Sequence, residues 1–123
     1  NQGCDRVKNF RELKPCQRSH ALTLTVSRLP HHLPKDELFG LTSQIRRASA
    51  SIQANIAEGC GRDGDPELKR FLNIALGSAC ELDYHLLLAA ELGYIESSEA
   101  AVLAPAVIEI RQMLGAFVQK LKA

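Results

Sequence analysis

At 123 residues, 46% hydrophobic and 24% charged, the chain is long and apolar enough to bury one core of its own, which excludes a disordered segment. A net charge of +1 excludes a surface that is strongly basic overall, although residues 1–62 hold ten Lys/Arg against five Asp/Glu and residues 63–123 hold five against nine.

Strand signals are sparse. Aromatic residues make up 5% of the chain, and no Asn-Gly or Asp-Gly turn separates two alternating segments. Helix punctuation recurs instead. Pro15 suits the first turn of a helix over residues 15–29, with Leu22, Val26 and Leu29 on one side and Pro30 to stop it. The segment PHHLPKDELFG (30–40) reads as an ordered connection. A second helix is expected over 42–59, ending at Gly59 and Gly61. Asp65-Pro66-Glu67 marks the start of a third, 66–92, with Asp65 as its cap and Gly93 as its stop. A fourth, 98–121, opens at Ser97 or Ser98 and carries Leu103, Val107, Ile110, Leu114, Phe117 and Leu121 at spacings of four and three. Pro105 predicts a kink or a fresh start near residue 104, because an interior proline costs about 3 kcal/mol. Four helices with short connections predict an all-α, antiparallel up-and-down four-helix bundle forming a single domain, 1–123.

On the second helix, Leu41, Ile45, Ala48, Ile52, Ile56 and Gly59 fall on one core stripe. Beside it runs a polar ladder of Gln44, Arg47, Ser51, Asn55, Glu58 and Arg62, and behind it lie Ala50, Ala54 and Ala57. Asn55 and Glu58 read as hydrogen-bonding residues at a helix or subunit junction. The third helix has a core stripe of Leu68, Phe71, Leu72, Ala75, Ala79, Leu82, Leu86 and Ala89, yet Leu76, Cys80, Tyr84, Leu87 and Leu88 fill much of its other side. A helix apolar nearly all round is buried on more than one face, which predicts that the chain assembles with copies of itself.

Chemistry is harder to find. A di-metal carboxylate centre needs Glu-x-x-His on two helices; Glu58, Glu81, Glu91 and Glu109 are present but no Glu-x-x-His is, and Glu81 with His85 reads as a helical ion pair. Cys4, Cys16, Cys60 and Cys80 form no C-x-x-C, so no metal site and no cofactor are expected. They read as reduced thiols of a cytoplasmic protein, with no uncharged run near the ~20 residues of a membrane span. Adjacent His31 and His32 read as exposed loop residues, and the glycine-rich run 59–64 lacks the Gly-Lys-Ser/Thr of a phosphate loop. Neither Cys60 nor Ser49 has a nearby histidine as base, so no catalytic residue is assigned. The remaining positive signal is basic: Arg46, Arg47, Arg62, Lys69 and Arg70 are candidates for contact with RNA or DNA, most of all if an assembly repeats them around an axis.

The stretches GLTSQIRRASASIQANIAEG and FLNIALGSACEL fit the patterns G-L-x-x-Q-x-R-R-A-x-x-S-I-x-x-N-I-A-E-G and F-L-x-x-A-x-G-S-x-x-E-L. On residues 40–59 with Phe71, Leu72, Ala75, Gly77, Ser78, Glu81 and Leu82, the chain resembles the four-helix-bundle family named after proteins encoded in the intervening sequences of bacterial 23S ribosomal RNA genes. It departs from that family where the first helix lacks the usual tryptophan and where Cys80 replaces a larger aliphatic residue. The resemblance implies an antiparallel bundle assembled as a ring, commonly a homopentamer, and brings no reaction with it. A related branch that accompanies reverse transcriptases implies nucleic acid or another protein as a partner. The expected role is a non-enzymatic oligomeric scaffold or adaptor; the alternative is a metal- or small-molecule-binding enzyme housed in the bundle interior.

Overall fold

The computed structural model describes residues 10–28 and 40–121. His31, His32, Cys4, Leu29 and nearly all of the expected connection 30–40 lie outside the described residues. A one-turn 3-10 helix, Phe10–Glu12, leads into four α-helices: α1 (Lys14–Ser27), α2 (Leu41–Cys60), α3 (Gly64–Glu91) and α4 (Ser97–Lys120). Of the described residues 88% are helical and none is in a strand. The most extensive packing joins α2 to α3 and α3 to α4; α1 packs on α2 and closes the bundle against α4. This is an all-α, antiparallel up-and-down four-helix bundle.

α1 is built from poor helix formers, and packing holds it. The hydroxyls of Ser19, Thr23, Thr25 and Ser27 each donate to the carbonyl four residues back, at 2.6–3.0 Å. Pro15 lies in its first turn, and Cys16, Leu22 and Val26 are buried against α2 and α4. α3 ends in a Schellman motif: Gly93 at φ +77° lets Tyr94 donate to the Ala89 carbonyl while Gly93 donates to that of Ala90.

Two helix expectations are corrected. α3 begins at Gly64, whose φ of +81° swings the chain out of the turn, so Asp63 occupies the cap position and Asp65 lies inside the first turn with Glu67. α4 runs unbroken from Ser97 to Lys120 with Pro105 inside it, and no fresh start occurs near 104. Pro105 is on the exposed side, where the carbonyl it leaves unbonded can turn toward water.

Every residue of the α2 core stripe is buried, as is every residue of the α3 stripe. On α4, Leu103, Val107, Ile110 and Leu114 form the seam, with Leu121 buried just beyond the helix. Ion pairs cross between helices, among them Arg18 to Glu109 at 3.3 Å and Arg111 to Asp83 at 3.1 Å. α4 contains an 18-residue stretch of mean hydropathy 1.5, long and apolar enough by composition to cross a membrane, yet only 28% of it is buried. Both mid-helix charges of α4, Glu109 and Arg111, are tied to neighbouring helices, which is the arrangement of a bundle helix.

Candidate functional site: the outer face of α3 and α4

The α3 stripe that faces inward leaves Tyr84 and Leu87 pointing outward, 59% and 53% exposed. Across from them α4 presents Ala100 and Ala104, whose small side chains leave a groove between the helices. The groove has a volume of about 370 Å³ and is lined also by Cys80, Asp83 and Ala90. Its wall is held by the Arg111–Asp83 ion pair, which clamps α4 onto α3. Ile108, one turn beyond Ala104 on α4, is also exposed. Single exposed leucines are ordinary; Tyr84 and Leu87 stand together at the mouth of an apolar groove, a surface with a partner to find.

The polar ladder of α2 resolves into three rungs. Arg47 donates to the Gln44 side chain, and Arg62 pairs with Glu58 at 2.9 Å. Between them Asn55 donates to the Ser51 carbonyl at 2.8 Å and to its hydroxyl at 3.0 Å. The Ser51 hydroxyl in turn meets that of Ser78 on α3 at 2.8 Å. Asn55 therefore serves the α2–α3 junction inside one chain. Glu81 bonds Nε2 of His85 at 3.3 Å on the outer side of α3.

The basic residues do not form one patch. Arg46 and Arg47 sit near the start of α2, and Arg62 follows its end, which at 1.5 Å per residue places the two groups roughly 20 Å apart. Sequence order brought them together on paper; the rise of the helix separates them. Lys69 and Arg70 on α3 are near Arg62, where Arg70 bonds Glu67 at 3.0 Å. Arg62 and Arg70 lie over the Phe71 ring, 5.3 and 4.4 Å from its centre. The Arg70 hydrogen bond holds the Glu67 carboxyl below its ordinary range and raises the guanidinium correspondingly. Lys69 is engaged as well. The corner is thus a neutralised one, with most of its positive charge already answered.

A second hollow, about 420 Å³, opens between the 3-10 helix, α1 and α2 and is lined by Phe10, Arg11, Cys16, Gln17, His20 and Gln53. Its thiol is held in the protonated, less reactive form. Burial raises Cys16 above the usual thiol range despite a 3.8 Å hydrogen bond from Gln53. Cys60 is pushed up to about 11, by burial first and by Cys16 second. The Ser49 hydroxyl is spent on Thr23 at 2.9 Å. Among the described residues no group of three or more His, Cys, Asp and Glu side chains is placed to hold a metal ion.

These thiols make a measurable prediction. Alkylation at neutral pH should mark exposed Cys80 first and leave Cys16 and Cys60 slow, as read by peptide mass mapping. Because the Cys60 thiol keeps its proton to about pH 11 when folded and the unfolded chain loses it near 9, stability is complete below pH 9 and falls between 9 and 11. The loss is on the order of 1 kcal/mol for this half-buried group. Thermal melts of Cys60→Ala should show a shallower decline over that window than the parent chain.

Two comparisons bear on the bundle as a whole. Residues 11–116 match the model of the family described as 23S rRNA-intervening sequence protein. The chain belongs to that family. A solved structure from the S23 ribosomal protein family of Bacteroides thetaiotaomicron VPI-5482, a protein of unknown function, is 26% identical with a TM-score of 0.79. The likeness covers 86% of this chain and 99% of that one. No curated protein matches this chain. The 23S rRNA-intervening sequence family thus accounts for the bundle, and it supplies no reaction and no ligand for the groove.

The burial of four polar residues, Ser19, Thr42, Ser49 and Ser78, was not anticipated from the sequence. Ser49 and Ser78 stand on the core side of α2 and α3, a placement that was visible in the helical spacing. The groove itself was legible only as an excess of apolar residues on α3, since its other wall is made by alanines of α4.

Proposed function

We propose that this protein is a non-enzymatic scaffold or adaptor that works as a homo-oligomeric ring, five copies being the number the family resemblance implies. The observation that carries the reading is the apolar groove between α3 and α4, where Tyr84 and Leu87 are 59% and 53% exposed. Such a face is stable in water when another surface covers it, and a family built on one repeated bundle offers its own copies as the cover. Protein partners would then be bound by the assembled ring. Nucleic acid is the weaker partner, because the candidate arginines fall in two separated groups and Arg62 and Arg70 are already paired.

Gel filtration with light scattering tests the reading. At tens of micromolar the expected mass is close to five times the 13.5 kDa of one chain. A clean monomer at that concentration sinks it. RNA or DNA binding that weakens steeply with salt and on Arg46→Ala/Arg47→Ala would move the assignment to nucleic-acid binding. Stoichiometric iron, manganese or zinc in the purified protein would move it to a metalloenzyme.

A further inference from the structure

The two halves of the bundle surface differ in charge as well as in apolarity. Within α1 and α2, Lys14, Arg18, Arg46 and Arg47 stand against Glu58, a net of +3. Within α3, five carboxylates stand against Lys69 and Arg70, a net of −3, and α4 is balanced. The outward side of α2 carries exposed Ala50 and Ala54 with Arg46 and Arg47 beside them. Arg46 has no hydrogen bond or ion pair among the described residues, and neither has exposed Glu91, one turn beyond Leu87 on α3.

We propose that the α3–α4 groove of one copy receives the outer face of α2 from a second copy, head to tail. The inference rests on the self-assembly put forward above and names the two surfaces that meet. Groove against groove would bring the α3 faces, each with a surplus of carboxylates, into contact, and like charges across an interface are costly. Groove against α2 instead sets Arg46 and Arg47 against the acidic α3 and gives Arg46 the carboxylate of Glu91 as a partner. Ala50 and Ala54 leave room for Tyr84 and Leu87 to lie against the α2 backbone, where longer side chains would hold the helices apart. The 20-residue α2 is roughly 30 Å long, enough to run the length of the groove. The contact is heterologous: each copy keeps one unused groove and one unused α2 face, so assembly continues until a ring closes.

Two variants test the pairing, each placed on an exposed residue so that the bundle itself is spared: Leu87→Glu in the groove and Ala54→Glu on α2. Circular dichroism establishes that both are folded, and light scattering at tens of micromolar reads their mass. Each variant alone is expected to be a monomer, with self-association weakened at least tenfold. An equal mixture is expected to form a 1:1 heterodimer and nothing larger, since one sound groove and one sound α2 face remain, and raised salt should dissociate it. Wild-type assembly that persists in Ala54→Glu overturns the pairing while leaving self-assembly standing. So does a mixture in which both variants stay monomeric, or assembly untouched by either change. A monomeric wild type overturns self-assembly itself, and the pairing with it.

Discussion

Gly59→Val is expected to destabilise the bundle by about 3 kcal/mol, enough to lower its melting temperature by roughly 10–20 °C. Gly59 lies in the last turn of α2 where that helix crosses the start of α3. A Cβ there would sit 2.9 Å from the Phe71 Cβ, 3.2 Å from a Leu68 methyl and 3.4 Å from the Leu68 carbonyl oxygen. The nearest of these is fixed to the α3 backbone and cannot swing away, so the helices themselves must part. Valine adds two methyl groups to that crossing, and the helix propensity regained on replacing glycine, below 1 kcal/mol, is too small to compensate. Gly61→Ala is the control. Its Cβ would meet nothing nearer than 3.6 Å at an ordinary helical φ of −84°, so it should be neutral or slightly stabilising. Urea titrations of the two variants would separate a local crossing effect from a general intolerance of side chains at this end of α2.

Ile52→Ala should cost a similar amount, about 3–4 kcal/mol, by the opposite mechanism. Ile52 is fully buried at the middle of α2 and belongs to the core cluster shared by all four helices. Removing three carbons leaves a void whose walls are fixed by four helices, and such a site collapses poorly. Ile52→Val, which removes one carbon, should cost about 1 kcal/mol. A cost for Ile52→Ala below 1 kcal/mol would mean that the interior is far looser than a close-packed bundle.

Sequence periodicity carried most of the fold. Ile45, Ala48, Ile52 and Ile56 on α2 and Leu68, Leu72, Ala75 and Ala79 on α3 recur at three and four, and only a helix puts such residues on one side. What periodicity does not carry is tertiary spacing. The basic residues were near one another in a count of charges, but roughly 20 Å of helix separates Arg47 from Arg62. Pro105 threatened α4 because its propensity penalty is a property of isolated helices; in the bundle Leu103, Val107 and Ile110 are buried on either side of it and their packing keeps the helix continuous. The groove depended on how two helices lie against each other, so the large residues of α3 could be seen and the alanines of α4 that make its other wall could not.

The hydroxyl contacts of α2 have a consequence for how the bundle is chosen among its competitors. Leucines, isoleucines and alanines interlock well in several alignments, and a helix slid by one turn still buries much the same apolar area. Thr23 with Ser49 fixes α2 against α1, and Ser51 with Ser78 fixes it against α3, at 2.9 and 2.8 Å. A slide of α2 by one turn would take these partners from the buried hydroxyls of Ser49 and Ser78, at roughly 1–3 kcal/mol for each that is left unpaired. They contribute little to the stability of the correct alignment and a great deal against the wrong ones. The serines that interrupt the apolar run of α2 are in this sense its graduation marks: they let the chain tell one turn of helix from the next.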